Sequence, residues 1–179
     1  MKKIIVALIF LHPFFIIAQE VDEVRFIYAF VKEIMAQQNI DLNNGLQLEA
    51  EPNVAENQDD KTYLKSLLIN ENEINRQNYS TIITLTIPGK CLTKKEMKSM
   101  LDQKRKFKNF KWDNSILGFN IENKKNYYTF SVPLFSPDKT KAVMMIKSIC
   151  PGLCGSGQTI LFKKENGEWT EQILGMFYY

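Results

Sequence analysis

The fold turns on residues 127–179, YYTFSVPLFSPDKTKAVMMIKSICPGLCGSGQTILFKKENGEWTEQILGMFYY. They read as four short strands interrupted in the middle by Cys150-Pro151-Gly152-Leu153-Cys154-Gly155-Ser156-Gly157. Tyr128, Phe130 and Val132 alternate with Thr129 and Ser131, the period of a half-buried strand. Pro133 then predicts an edge or a bulge, because it has no amide to give a ladder. Ala142–Ile149 and Thr159–Phe162 are continuous apolar runs, predicted as central strands. Ser136-Pro137-Asp138-Lys139 puts proline where a type I turn favours it. Asn166-Gly167 predicts a two-residue hairpin, with Trp169, Ile173 and Leu174 on the last strand.

Upstream, Thr93 and Glu96 form a capping box, with Leu92 and Met97 at the staple positions and Met97, Met100 and Leu101 on a core face through about Lys104. Before that helix, Thr81–Ile87 alternates as a half-buried strand ending at Pro88-Gly89. Val24, Ile27, Val31, Ile34 and Met35 recur at helical spacing within Val21–Gln37, and Phe26 and Phe30 widen the stripe. Residues 39–60 carry turn chemistry at Asn43-Asn44-Gly45, Pro52-Asn53 and Asp59-Asp60. That segment is acidic, with Glu49, Glu51, Glu56, Asp59 and Asp60. Tyr63–Ile69 fits helix or strand, and Ser115–Ile121 reads as a strand. Helix, strand, helix and then several antiparallel strands describe an α+β domain. The expectation is an N-terminal helix and a second helix packed on a curved, mainly antiparallel sheet. The element order is that of cystatin-like and NTF2-like architectures, a likeness of topology that carries no activity.

The chain opens Met1-Lys2-Lys3, followed by an apolar run from Ile4 to Ala18. Two cations, an apolar segment and a small residue before Gln19-Glu20 have the form of a secretory signal peptide. The run is shorter than the ~20 residues that span a bilayer, so no permanent membrane span is expected. Residues 1–18 are therefore expected to be a signal peptide and residues 19–179 a single domain, periplasmic or secreted. Cleavage leaves 161 of 179 residues, removes the one histidine, His12, and lowers the formal charge from +3 to +1. A chain of this size buries about two-thirds of its unfolded surface, enough for one core.

Three cysteines remain, Cys91, Cys150 and Cys154, and they allow three single pairings. An exported protein is expected to form at least one disulfide. Pro151 and Gly152 suit a tight turn, which favours Cys150–Cys154 and leaves Cys91 as a buried free thiol.

The glycine-rich knot matches a phosphate-binding loop except that Gln158 stands where lysine is needed, and Ile160-Leu161-Phe162 continues as strand. No nucleotide is expected. Ser156 lacks the glycine spacing of a nucleophile elbow, and the mature chain has no histidine to serve as base. Two cysteines separated by three residues, with one more elsewhere, do not make a zinc set without added carboxylates, so no metal or cofactor is expected. The candidate contact surface is the basic run Lys104, Arg105, Lys106, Lys108 and Lys111, interleaved with Phe107, Phe110 and Trp112. It could meet an anionic surface or polymer. The plainer reading places the cations at a solvated helix end, near its negative pole, and the rings in the core.

At Pro133-Leu134-Phe135-Ser136, Leu153-Cys154-Gly155-Ser156-Gly157, Lys164-Glu165-Asn166-Gly167-Glu168-Trp169 and Phe110-Lys111-Trp112-Asp113, the chain resembles a group of small exported bacterial proteins of unknown function. The resemblance covers about residues 90–179 and implies a bacterial, exported setting without an activity. The expected function is a non-enzymatic domain that binds a protein or an anionic surface. The alternative is a degenerate hydrolase-like or small-ligand enzyme using carboxylates in a sheet pocket.

Overall fold

The computed structural model describes residues 4–50, 82–83, 91–152 and 154–178. The chain divides into two compact units, Met1–Ile40 and Asp41–Tyr179.

The first unit is built on helix α1 (Ile4–Gln37), which contains the predicted Val21–Gln37 helix and extends back to Ile4. Ile27, Phe30, Val31 and Ile34 are buried while Lys32, Glu33 and Ala36 are exposed, so the apolar spacing picks out the buried stripe. The helix stops in a Schellman arrangement. Asn39 takes a left-handed φ of 51°, and the amides of Asn39 and Ile40 donate to the carbonyls of Ala36 and Met35 at 3.2 and 3.0 Å. Among the described residues no helix is long and apolar enough to cross a membrane.

Among its described residues the second unit holds a sheet and two shorter helices, which makes the class α+β, as expected. Its strands are β1 (Gly45–Leu46), β2 (Ile82–Ile83), β3 (Tyr127–Phe130), β4 (Leu134–Phe135), β5 (Lys141–Ile149), β6 (Ser156–Glu165) and β7 (Glu168–Tyr178). They lie in the order β1-β3-β5-β6-β7-β2, with β4 also beside β5. Every pairing is antiparallel except the parallel β1–β3. The predicted central strands are central: β5 and β6 each have a neighbour on both sides. Asn166 and Gly167 close the β6–β7 hairpin with φ of 53° and 93°, the double positive φ that this turn requires.

The proline expectation resolves into a bulge. Phe130 pairs with Ile146 and Leu134 with Val143, so residues 131–133 insert one extra position opposite β5. Ser131 fills the gap in the ladder, its amide donating to the Met145 carbonyl at 3.0 Å and its Oγ accepting from the Met145 amide at 2.8 Å.

Helix α2 (Lys94–Lys106) starts at Thr93 with both halves of the capping box formed. Leu92, Met97 and Met100 pack with Leu134, Val143, Leu161 and Leu174, fixing α2 on one face of the sheet. The Gln103 amide grips the backbone of β4, donating to the Phe135 carbonyl at 2.7 Å and accepting its amide at 2.9 Å.

Two expectations need correction. Residues 115–121 are not a strand: helix α3 (Asn114–Leu117) forms there, capped by Asp113 and ended by Gly118 at φ 81°. The Asp113 carboxylate accepts from the Ser115 amide, a local bond that competes with an extended ladder. Nor is Asn43-Asn44-Gly45 only a loop, since Gly45 opens β1. A Cβ at Gly45 would run into the Asn123 carbonyl, so glycine admits the close approach of the 120–126 segment. The Ile82–Ile83 part of the predicted 81–87 strand pairs with Phe177 and Met176. The rest of that strand, Tyr63–Ile69 and the acidic residues after Ala50 lie outside the described residues.

Candidate functional site

The glycine-rich knot is the bend of the β5–β6 hairpin. Ser148 pairs with Ser156, and the cysteines beyond them are joined: Cys150 and Cys154 form the expected disulfide with their Cα atoms 5.7 Å apart. Pro151 and Gly152 are exposed at the tip, with Gly152 at φ 86°. Ser156 and Gly157 belong to β6, so the knot runs into a strand. A phosphate cradle of the P-loop kind requires a helix at that point. Cys91 is a free thiol but half-buried rather than buried, its Sγ donating to Gln172 Oε1 at 3.4 Å.

The basic run folds as helix end plus turn. Phe107 caps α2, and the Phe110 amide donates back to the Phe107 carbonyl at 3.1 Å. Residues 110–112 then lie antiparallel to residues 48–50, with Glu49 opposite Lys111. Arg105, Lys106, Lys108 and Lys111 are exposed, whereas Lys104 is half-buried. Arg105 pairs with Asp102 at 3.1 Å, Lys111 with Glu49 at 3.3 Å, and the Lys106 ammonium lies 5.3 Å from the Phe107 ring centre. A backbone amide first, and then the Lys111 ammonium, hold the Glu49 carboxyl below its ordinary range.

The rings are tied inward. Phe107 meets Phe110 edge-on, Phe110 meets Trp112, and Trp112 meets Phe130, forming a ladder from surface to core. Trp112 is 3% exposed and its indole N–H donates to the Phe130 carbonyl at 3.2 Å. Trp112 is thus a core residue, while Phe107 and Phe110 remain half-buried among the cations.

Beside Glu49 lies an open groove of about 310 Å³, lined by residues 46–49, Ile121, Asn123, Lys124 and Tyr127. Leu48 and Ile121 present apolar area there, at 36% and 46% exposure. Its one carboxylate, Glu49, is already engaged by Lys111. The pairing of residues 48–50 with 110–112 and the lining from 121–127 are long-range, and no local signal in the sequence marks this groove.

A second polar cluster joins α2 to the sheet. Glu96 accepts from the Thr93 amide through one carboxylate oxygen at 2.6 Å and from Lys141 Nζ through the other at 2.9 Å. Lys141 Nζ also donates to the Cys91 carbonyl at 3.1 Å. Burial alone would raise the Glu96 pKa, but the Thr93 amide and hydroxyl and the Lys141 ammonium outweigh it and hold the carboxyl low. Every strong donor and acceptor here is satisfied within the protein, so the cluster is a fastener. Among the described residues, no group of three or more His, Cys, Asp or Glu side chains is arranged to hold a metal ion. No family model, curated protein or solved structure matches this chain.

Proposed function

We propose that this chain is an exported bacterial domain that binds or interacts without catalytic activity of its own. The observation that carries the reading is the furnishing of the groove beside Glu49. It offers exposed Leu48 and Ile121 and a single carboxylate held in an ion pair. An enzyme working with a pair of carboxylates needs a second acid facing the first, and the groove's other polar side chains, Gln47, Asn123, Lys124 and Tyr127, supply none. The side chains inside the sheet are instead Met144, Ile146, Ile160 and Phe162, all buried. Export is supported by the leader composition of residues 1–18 and by the Cys150–Cys154 bond, which an oxidising compartment sustains. The resemblance of residues 90–179 to small exported bacterial proteins of unknown function supports the same setting.

The test is expression of the full chain in a bacterium, followed by mass analysis of the exported product and turnover assays. The expected product begins after Ala18, is lighter by the two hydrogens of one disulfide, and turns over nothing. Retention of Met1, or free thiols at Cys150 and Cys154 outside the cytoplasm, would overturn export. Hydrolysis of an ester, phosphoester or glycoside that disappears in Glu49→Gln would overturn the binding reading.

A further inference from the structure

We propose that the outward face of α2 is an electrostatic docking face for an anionic lipid surface, an inference that rests on the binding reading above. At about 100° per residue, Lys94, Lys95, Lys98, Asp102, Arg105 and Lys106 fall within one sector of about 120° on the helix. All six are exposed, while Met97, Met100 and Leu101, outside that sector, are buried. Five cations thus surround one carboxylate, and that carboxylate is paired with Arg105. The helix's other acid, Glu96, is turned away to Thr93 and Lys141. Residues 91–179, the segment that holds this helix, carry fifteen Lys and Arg against eight Asp and Glu.

Helix stability does not account for the whole pattern. Cations in the last turn, Lys104 to Lys106, complement the negative end of the helix dipole. Lys94 and Lys95 occupy the first turn, where the dipole is positive and carboxylates are favoured. An anionic partner gives those two lysines, and Lys98 a turn later, a favourable interaction that no other described residue supplies.

The kind of partner follows from the chemistry of the face. It is dominated by lysines, which act as compact point charges rather than planar forks for one bound group. Among the described residues, Phe107 and Phe110 are committed to the ladder that runs through Trp112 to Phe130, so they offer no platform for stacking bases. Diffuse attraction to a sheet of anionic headgroups needs neither pocket nor ring.

The test uses the exported protein and its Lys94→Gln/Lys95→Gln/Lys98→Gln variant, sedimented with phosphatidylglycerol–phosphatidylcholine vesicles or pure phosphatidylcholine vesicles over a salt series. Wild type is expected to bind the anionic vesicles, to release as salt rises, and to ignore the neutral ones. The triple variant is expected to bind about a hundredfold more weakly, with an unchanged far-ultraviolet spectrum. A control variant, Lys125→Gln/Lys139→Gln/Lys164→Gln, loses the same charge elsewhere and is expected to bind within a few-fold of wild type. Equal loss in both variants would overturn the docking face, and so would binding to heparin or single-stranded DNA but not to vesicles. The mass of the preparation reports separately on export, because a protein retaining residues 1–18 would also hold neutral vesicles in a salt-insensitive way.

Discussion

Lys141 Nζ lies 2.9 Å from Glu96 Oε1, so the first residue of β5 is tied to the carboxylate that caps α2. The two side chains retain 26% and 14% of their exposure, and Glu96 uses its second oxygen on the Thr93 amide. One carboxylate therefore starts the helix and fastens it to the sheet. Glu96→Ala is expected to cost about 1–2 kcal/mol, roughly 1 of it from the cap. Denaturant unfolding of Glu96→Ala, Lys141→Met and the double variant should show the two changes to be non-additive. Strict additivity would mean that the bridge contributes nothing.

Acid should weaken the fold in a defined window. The Ser136 hydroxyl and the Thr140 amide hold Asp138 down to about 2 from an ordinary 3.8, and Glu96 is held below its ordinary 4.5. Both carboxyls are depressed on folding, so their stabilisation is full above those ordinary values and is lost as pH falls below them, for Asp138 toward about 2. Unfolding free energy should decline across that range. Asp138→Asn should flatten the slope below 3.8; an unaltered slope would refute the assignment.

Opening the Cys150–Cys154 bond should loosen the hairpin bend and leave the sheet standing. The five-residue ring gives a chain-entropy estimate of about 2 kcal/mol, so Cys150→Ser/Cys154→Ser should melt several degrees lower with its secondary structure intact. Amide exchange should accelerate at residues 148–156 and not in α2. Global unfolding of the variant at room temperature would show that the bond does more than clamp a loop.

Gly45→Ala should be costly although it adds only a methyl group. The new Cβ meets backbone, the Asn123 carbonyl, which cannot swing aside as a flexible side-chain tip can. A loss of about 1–3 kcal/mol is expected from the overpacking, together with faster amide exchange at Gln47, whose amide donates to the Tyr128 carbonyl. A stability equal to wild type would place the 120–126 segment elsewhere.

The elements that were legible in the sequence rest on neighbours in the chain. Thr93 and Glu96 are three residues apart, Asn166 and Gly167 set their own torsions, and the apolar runs of β5 and β6 need burial on both faces wherever they pair. Pro133 announces a break in any ladder, and Cys150 and Cys154 are close enough for their turn to join them. The 115–121 segment misled because its apolar residues outweighed the Asp113 cap and the left-handed Gly118, which make α3 locally better than a strand.

Tertiary structure decided the pairings that no local preference encodes. Gly45–Leu46 runs parallel to Tyr127–Tyr128, Glu49 faces Lys111, Gln103 grips Phe135 and Lys141 reaches Glu96. The cost of bringing such distant partners together is met by the whole core rather than by either partner. The amino acids alone therefore settled the kinds of most elements, residues 115–121 and Gly45–Leu46 excepted. Which charged side chains are fastened, and which remain on the outward face of α2, depended on how those elements packed.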